Sequence, residues 1–320
     1  MSAAVVTASP VLLGCSSEEV VVKTADGVSL SAKDIDNNPL ALLPGGSLGT
    51  FTLDAPKLFA SPAGTRLLEI VRARLPVPPE AGFVPERDLS SVLLGIYSFQ
   101  GVDFMGVATG NFNPEAIEAS AKAQQTTPLG TPLVRVEYAK RVFYVSANIG
   151  FVVLTSHTVL FGNETGIRRG LDRLEAGRVA VEVAPQIESL LRSPGAPLAF
   201  GSDAEYDPQV TAFASQLPFL KEMSLLRAVG NFDAPGVNIA GTLTYKTPVA
   251  AEQGKAALQS LQQNLAAYGF LASVLGLAQP IQRMDLNVVE SSLQVSIALD
   301  GQAAAGLLNS VADVMGAGHK

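Results

Sequence analysis

Few residues in this chain have the types and spacing that chemistry needs. Its 320 residues include two histidines, one cysteine and no tryptophan. A metal site needs three or four converging ligands, and His157 and His319 stand far apart in sequence with no cysteine pair to join them. Ser156 beside His157 is not a nucleophile and its base, because a triad presents its serine at a special turn. Asp34-Ile-Asp36-Asn-Asn38 has the opening of a calcium loop, but Pro39 stands where glycine is needed and Gly45 where glutamate is needed. A polar turn is the expectation there. Gly45-Gly46-Ser47-Leu48-Gly49 lacks the Lys and Ser/Thr of a phosphate-binding loop. Asp203, Glu205 and Asp207 are carboxylates of an acidic protein, and Asp207 before Pro208 reads as a helix cap. No catalytic residue, metal ligand or cofactor site is assigned, and the expectation is a protein that is not an enzyme.

Cys15 is the exception. Ala3 to Gly14 is apolar or small except for Thr7 and Ser9, like the apolar stretch of roughly 7–15 residues before the small-residue cleavage point of a secretory signal. No Lys or Arg precedes the cysteine, and Ser16-Ser17-Glu18-Glu19 follows it as a polar break. Leu12-Leu13-Gly14-Cys15 resembles the lipobox of bacterial lipoproteins. That resemblance implies export, cleavage before Cys15 and acyl chains on its sulfur. With Ser16 after the cysteine, it also implies sorting to the outer membrane. Each buried methylene contributes about 0.8 kcal/mol, so several chains hold where one exchanges. Residues 1–15 are then a signal segment and 16–45 a tether. The other reading makes Val5, Val11, Leu12 and Leu13 a strand and Cys15 a buried thiol. A lone cysteine in an exported chain needs an explanation, and acylation supplies one.

Composition narrows the partners. Apolar residues are 48%, enough for a sizeable core, while charged residues are 16%, against a usual ~25%. A net charge of −7 argues against nucleic acid, whose phosphates demand clustered Lys and Arg. It argues equally against electrostatic docking on anionic lipid. No run reaches the ~18 apolar residues that span a bilayer. Aromatic residues at 6%, with no Trp, weaken a carbohydrate-stacking role.

The elements that would position any site follow one plan twice, over 46–182 and 183–320. Each unit reads as β-α-β-β-α-β-β-α, an α+β fold of antiparallel sheets with helices packed on one face. In the first unit, 48–53 is a strand, and 92–99 with 104–112 is a hairpin. Asn113-Pro114-Glu115 caps a helix. Two strands, 133–145 and 151–161, and a helix over 164–175 complete the unit. In the second, 198–204 is the strand, Asp207-Pro208 opens a helix, and 225–232 with 237–245 is the hairpin. A long helix over 250–275, a hairpin of 284–289 with 293–299, and a helix over 302–315 follow. Phe51-Thr-Leu-Asp54 aligns with Phe200-Gly-Ser-Asp203, and Gly101 to Gly106 with Gly236 to Gly241. The layout, with phrases such as Gly110-Asn-Phe-Asn-Pro-Glu115, resembles uncharacterised secreted or anchored bacterial proteins with repeated α+β units, a resemblance that implies no chemistry.

Leu293, Val295, Ile297 and Leu299 alternate with Ser292, Gln294, Ser296 and Ala298. Such alternation buries one face and leaves the other to water or a partner. The open face is small, polar and nearly uncharged: plain solvent-facing sheet, or a docking surface for a protein or glycan. The expectation is a membrane-held, non-enzymatic envelope protein that binds a partner through that face. The alternatives are an anchored protein holding an apolar, lipid-like ligand, and an enzyme of unrecognised class.

Overall fold

The computed structural model describes residues 20–24, 26–98, 103–205, 210, 217–274, 281–301 and 304–306. The chain enters through a small hairpin, β1 (Val20–Lys23) with β2 (Ser29–Ser31), across the Asp26-Gly27 turn. Helix α1 (Ala32–Asn37) follows, then a 3₁₀ turn over Pro39–Leu42. The first unit then supplies β3 (Gly49–Asp54), α2 (Ala55–Phe59), α3 (Gly64–Ala73), α4 (Pro85–Asp88), β4 (Leu89–Ser98), β5 (Asp103–Gly110) and α5 (Pro114–Lys122). It continues with β6 (Val134–Tyr138), β7 (Arg141–Ser146), β8 (Ile149–Val153), β9 (Thr158–Asn163) and α6 (Glu164–Glu175). After α7 (Pro185–Arg192) come β10 (Leu198–Asp203), β11 (Met223–Asn231), β12 (Gly236–Tyr245), α8 (Pro248–Val274), β13 (Ile281–Val289) and β14 (Ser292–Asp300). The class is α+β, as expected.

The two units do not build two sheets. One antiparallel sheet of 12 strands runs β13-β14-β12-β11-β10-β3-β4-β5-β9-β8-β7-β6. The units join where β10 pairs with β3, with Phe51 directly opposite Phe200. Those rings stack at 4.4 Å between centroids. Register then carries the duplication outward on both sides. Phe51 pairs Leu94, which pairs Gly106, which pairs Phe161, which pairs Phe151. Phe200 pairs Ala228, which pairs Gly241, which pairs Val295, which pairs Leu286. The aligned motifs therefore occupy equivalent positions about a quasi-twofold at the Phe51–Phe200 pair.

Three expectations are corrected. Residues 20–45 are not a tether: Val22, Ile35, Leu40, Leu42 and Leu43 are all 3% exposed or less and belong to the main core. The supposed polar turn at Asp34 to Asn38 is largely α1, where Ser31 and Asp34 form a reciprocal capping box. The stretches 133–145 and 151–161 give four strands rather than two. Ala139 and Lys140 turn between β6 and β7 with φ of 48° and 59°, and with no Gly or Asn there, sequence carried no turn signal.

Helices also lie on both faces of the sheet, not one. Beneath α6 and α7, Leu93, Met105, Val107, Val152 and Leu160 join Ile167, Leu171, Ile187 and Leu191. On the opposite face, α5 supplies Ile117 and Ala121 against Ala108, Tyr144, Phe151 and Val159. The strands explain this, because Phe104-Met105-Gly106-Val107-Ala108 is buried without a break. A continuous apolar run is buried on both sides, whereas alternation buries one. Helix α6 seats closely because Gly166 faces the Phe104 carbonyl, where a Cβ would lie 2.1 Å away. In the second unit α8 covers one face only, over Leu243 and Leu293.

Candidate functional site

The face of β11, β12, β14 and β13 that no described helix covers is the strongest candidate. Its floor is a row of four directly paired residues: Arg227, Thr242, Gln294 and Asn287. The quasi-twofold makes them equivalent to Leu93, Val107, Leu160 and Val152, which pair in the same order. The first unit's row is 0–6% exposed beneath α6. Its polar counterpart lies open, with Arg227, Gln294 and Asn287 exposed. A second row, Asp285, Ser296, Ala240 and Val229, runs beside it. Sheet twist shapes the rows into a shallow concavity of about 620 Å³, with Leu190 of α7 at its rim.

The floor offers hydrogen bonds rather than reactive groups. The Asn287 amide donates to Gln294 Oε1 at 3.2 Å. Arg283 and Asp285 pair at 3.0 Å on the neighbouring edge. Arg227 makes no ion pair among the described residues. The arrangement suits a polar surface laid across it.

The residues singled out from sequence are dispersed. Cys15, Asp207 and His319 lie outside the described residues. His157 occupies the β8–β9 turn, its Nδ1 within 2.9 Å of the Gly110 carbonyl. Asp34 caps its own helix. Asp36 accepts from the hydroxyls of Thr155 and Thr158 at 2.6 and 2.7 Å, so it fastens α1 to the β8–β9 turn. Asp203 accepts from Gln186 and from the Glu205 N–H. Gly45 donates to Glu182 Oε2 at 2.9 Å. The run Gly45 to Gly49 also spells Gly-x-Ser-x-Gly, which sequence reading passed over. Its Ser47 lies in a loop entering β3 and meets Thr50 at 2.8 Å, rather than on the strand-to-helix elbow that exposes a nucleophile. Among the described residues, no group of three or more His, Cys, Asp or Glu could hold a metal. No helix there is long and apolar enough to cross a membrane.

Sequence reasoning also missed a buried clamp. Arg173, 4% exposed, donates to the Leu43 carbonyl at 2.6 Å and the Ala180 carbonyl at 2.9 Å, and pairs with Glu182 at 3.0 Å. Tyr97 donates to the Pro44 carbonyl at 2.8 Å, and burial pushes its phenol pKa up. Together they fix residues 39–45 across α6. Only the helical spacing of Arg173 from Gly170 and Gly166, three and seven residues before it on the buried face of α6, could have hinted at this.

The chain thus defines a class: a duplicated α+β protein on one long antiparallel sheet, with one polar face that no described helix covers. No family model and no curated protein matches it. Among solved structures it resembles TP0453 of Treponema, seen in crystal forms I, III and IV, at 10% identity. TM-scores are 0.50, 0.51 and 0.51, over 85, 85 and 84% of this chain and 96, 97 and 96% of that one. At that identity the likeness is one of fold.

Proposed function

We propose that this is a lipid-anchored, non-enzymatic protein of the bacterial cell envelope that binds a polar partner through the open face of its second unit. The observation that carries the binding role is the contrast between equivalent rows: Leu93, Val107, Leu160 and Val152 form core, while Arg227, Thr242, Gln294 and Asn287 form an exposed floor. An apolar lipid-like ligand needs a pocket of about 300–1,000 Å³ lined mainly by apolar groups. The apolar cavity beside Phe51 and Phe200 measures about 60 Å³, and the concavity of about 620 Å³ lies open to solvent with Arg227, Asp285, Asn287 and Gln294 exposed in it, which favours the partner-binding reading.

The anchor rests on Leu12 to Cys15. The fold shared with TP0453, a bacterial envelope protein, agrees with that location. Because folding begins by Val20, the chain from Cys15 spans at most about 18 Å. Strand β1 contacts α6, on the same side of the sheet as the open face. A short reach on that side supports a membrane-proximal partner. Mass spectrometry of the protein purified from its own membranes tests both parts, after a photo-cross-linker has been placed at Thr242 or, as control, at Glu252 on α8. The expected result is acyl chains on Cys15 and a partner captured from Thr242 alone. An unmodified Cys15 refutes the anchor, and equal capture from both positions refutes the face.

A further inference from the structure

The 12-stranded sheet ends in β13 and β6. An edge strand presents unpaired N–H and C=O groups that another strand can complete. The internal duplication shows what happens at this edge elsewhere in the same chain. Leu286 of β13 is equivalent to Phe151 of β8, and β8 does not end its sheet. Its outer side pairs antiparallel with β7, through Tyr144–Phe151, Val145–Gly150 and Ser146–Ile149. Among the described residues the second unit has no strand in the place of β7.

The side chains on β13 restrict what can fill it. Arg283 and Asp285 are 67 and 65% exposed and point to the open face, across from Ala298 and Ser296. A charged pair of this kind repels most apolar strands. An antiparallel copy of itself is different: a twofold through Met284 puts Arg283 opposite Asp285 of the second copy, and Asp285 opposite its Arg283. Directly opposed charges of unlike sign stabilise such pairs. Strand β6 carries a similar Arg135-x-Glu137, but Arg135 also reaches Glu118 of α5 at 3.5 Å, and Tyr138 is tied to Asp172 of α6. Helices flank that edge on both sides, whereas among the described residues no helix covers β13 on the open side.

We infer that β13 pairs antiparallel with β13 of a second copy about a twofold at Met284, joining the two sheets into one. This interface is isologous, so it closes as a dimer. Its axis stands perpendicular to the sheet, so the two polar floors lie side by side on one surface.

Sedimentation velocity on the full chain carrying Cys15→Ser, which removes acylation and thiol cross-linking, tests this across the micromolar range. The expected result is a reversible dimer. Arg283→Asp or Asp285→Arg alone opposes like charges twice and weakens it about tenfold or more. The double exchange Arg283→Asp/Asp285→Arg restores it, and Arg135→Glu leaves it unchanged. Circular dichroism of each variant separates loss of pairing from loss of fold. A chain that stays monomeric throughout, a dimer indifferent to the single reversals, a double exchange no tighter than the singles, or a dimer lost on Arg135→Glu overturns the assignment.

Discussion

Leu160→Gln installs in the first unit the side chain that its equivalent, Gln294, carries in the second. Leu160 is fully buried on β9, between Val107 and Val152. Burying a leucine contributes about 1.5–3 kcal/mol. An amide buried there without partners costs about 1–3 kcal/mol more. The total is roughly 2.5–6 kcal/mol, a large share of the 5–15 kcal/mol that holds a typical domain together. The reverse exchange, Gln294→Leu, places a leucine on an exposed floor and changes stability by about 0.5 kcal/mol or less. Urea unfolding of both variants, with midpoints and m-values followed by far-ultraviolet circular dichroism, measures the difference directly. If Leu160→Gln costs under about 1 kcal/mol, or Gln294→Leu costs as much as it does, the two rows are not the core and open versions of one plan. Partner capture from Thr242 should also fall for Gln294→Leu, since the floor loses the amide donor and acceptor of Gln294.

Two further predictions concern stability alone. Arg173→Met keeps the bulk of the side chain but takes the donor from the Leu43 and Ala180 carbonyls, while the part-exposed Glu182 carboxylate keeps the Gly45 N–H. It should cost about 1–3 kcal/mol, read by urea unfolding and by earlier proteolysis within 39–45. Asp88, 7% exposed, accepts from the Arg87 guanidinium and from the Val84 N–H at 2.7 Å. The Arg87 hydrogen bond is the main reason its carboxyl pKa lies below the usual value. A lowered folded-state pKa contributes stability that is complete above the unfolded carboxyl's pKa of about 4 and is lost as pH falls through the folded value. The gap between the protein and Asp88→Asn, about 1–2 kcal/mol near neutrality, should therefore close on acidification. Urea midpoints near neutral pH and near pH ~3 check it.

Much of the fold was legible because local rules were obeyed. Asn113 accepts from the Ala116 N–H at 3.0 Å at the head of α5, as Asn-Pro-Glu implied. Helix α6 spans Glu164–Glu175 with Ile167, Leu171 and Leu174 inward, as its three- and four-residue steps required. The alternation over 292–299 gave the faces of β14 correctly. Helix α7 was missed, since its eight residues lie in a Pro- and Ser-punctuated stretch with Ile187 and Leu191 as the buried marks.

The sequence by itself determined the element types, the doubled order and the polar character of one face, because these depend on neighbours within a few residues. Tertiary structure decided that the units share one sheet, that residues 20–45 belong to the core, and that α6 covers one face while no described helix covers its counterpart. Those outcomes depend on contacts between residues more than a hundred positions apart, such as Phe51 with Phe200 and Arg173 with Leu43. Local periodicity carries no record of such pairings.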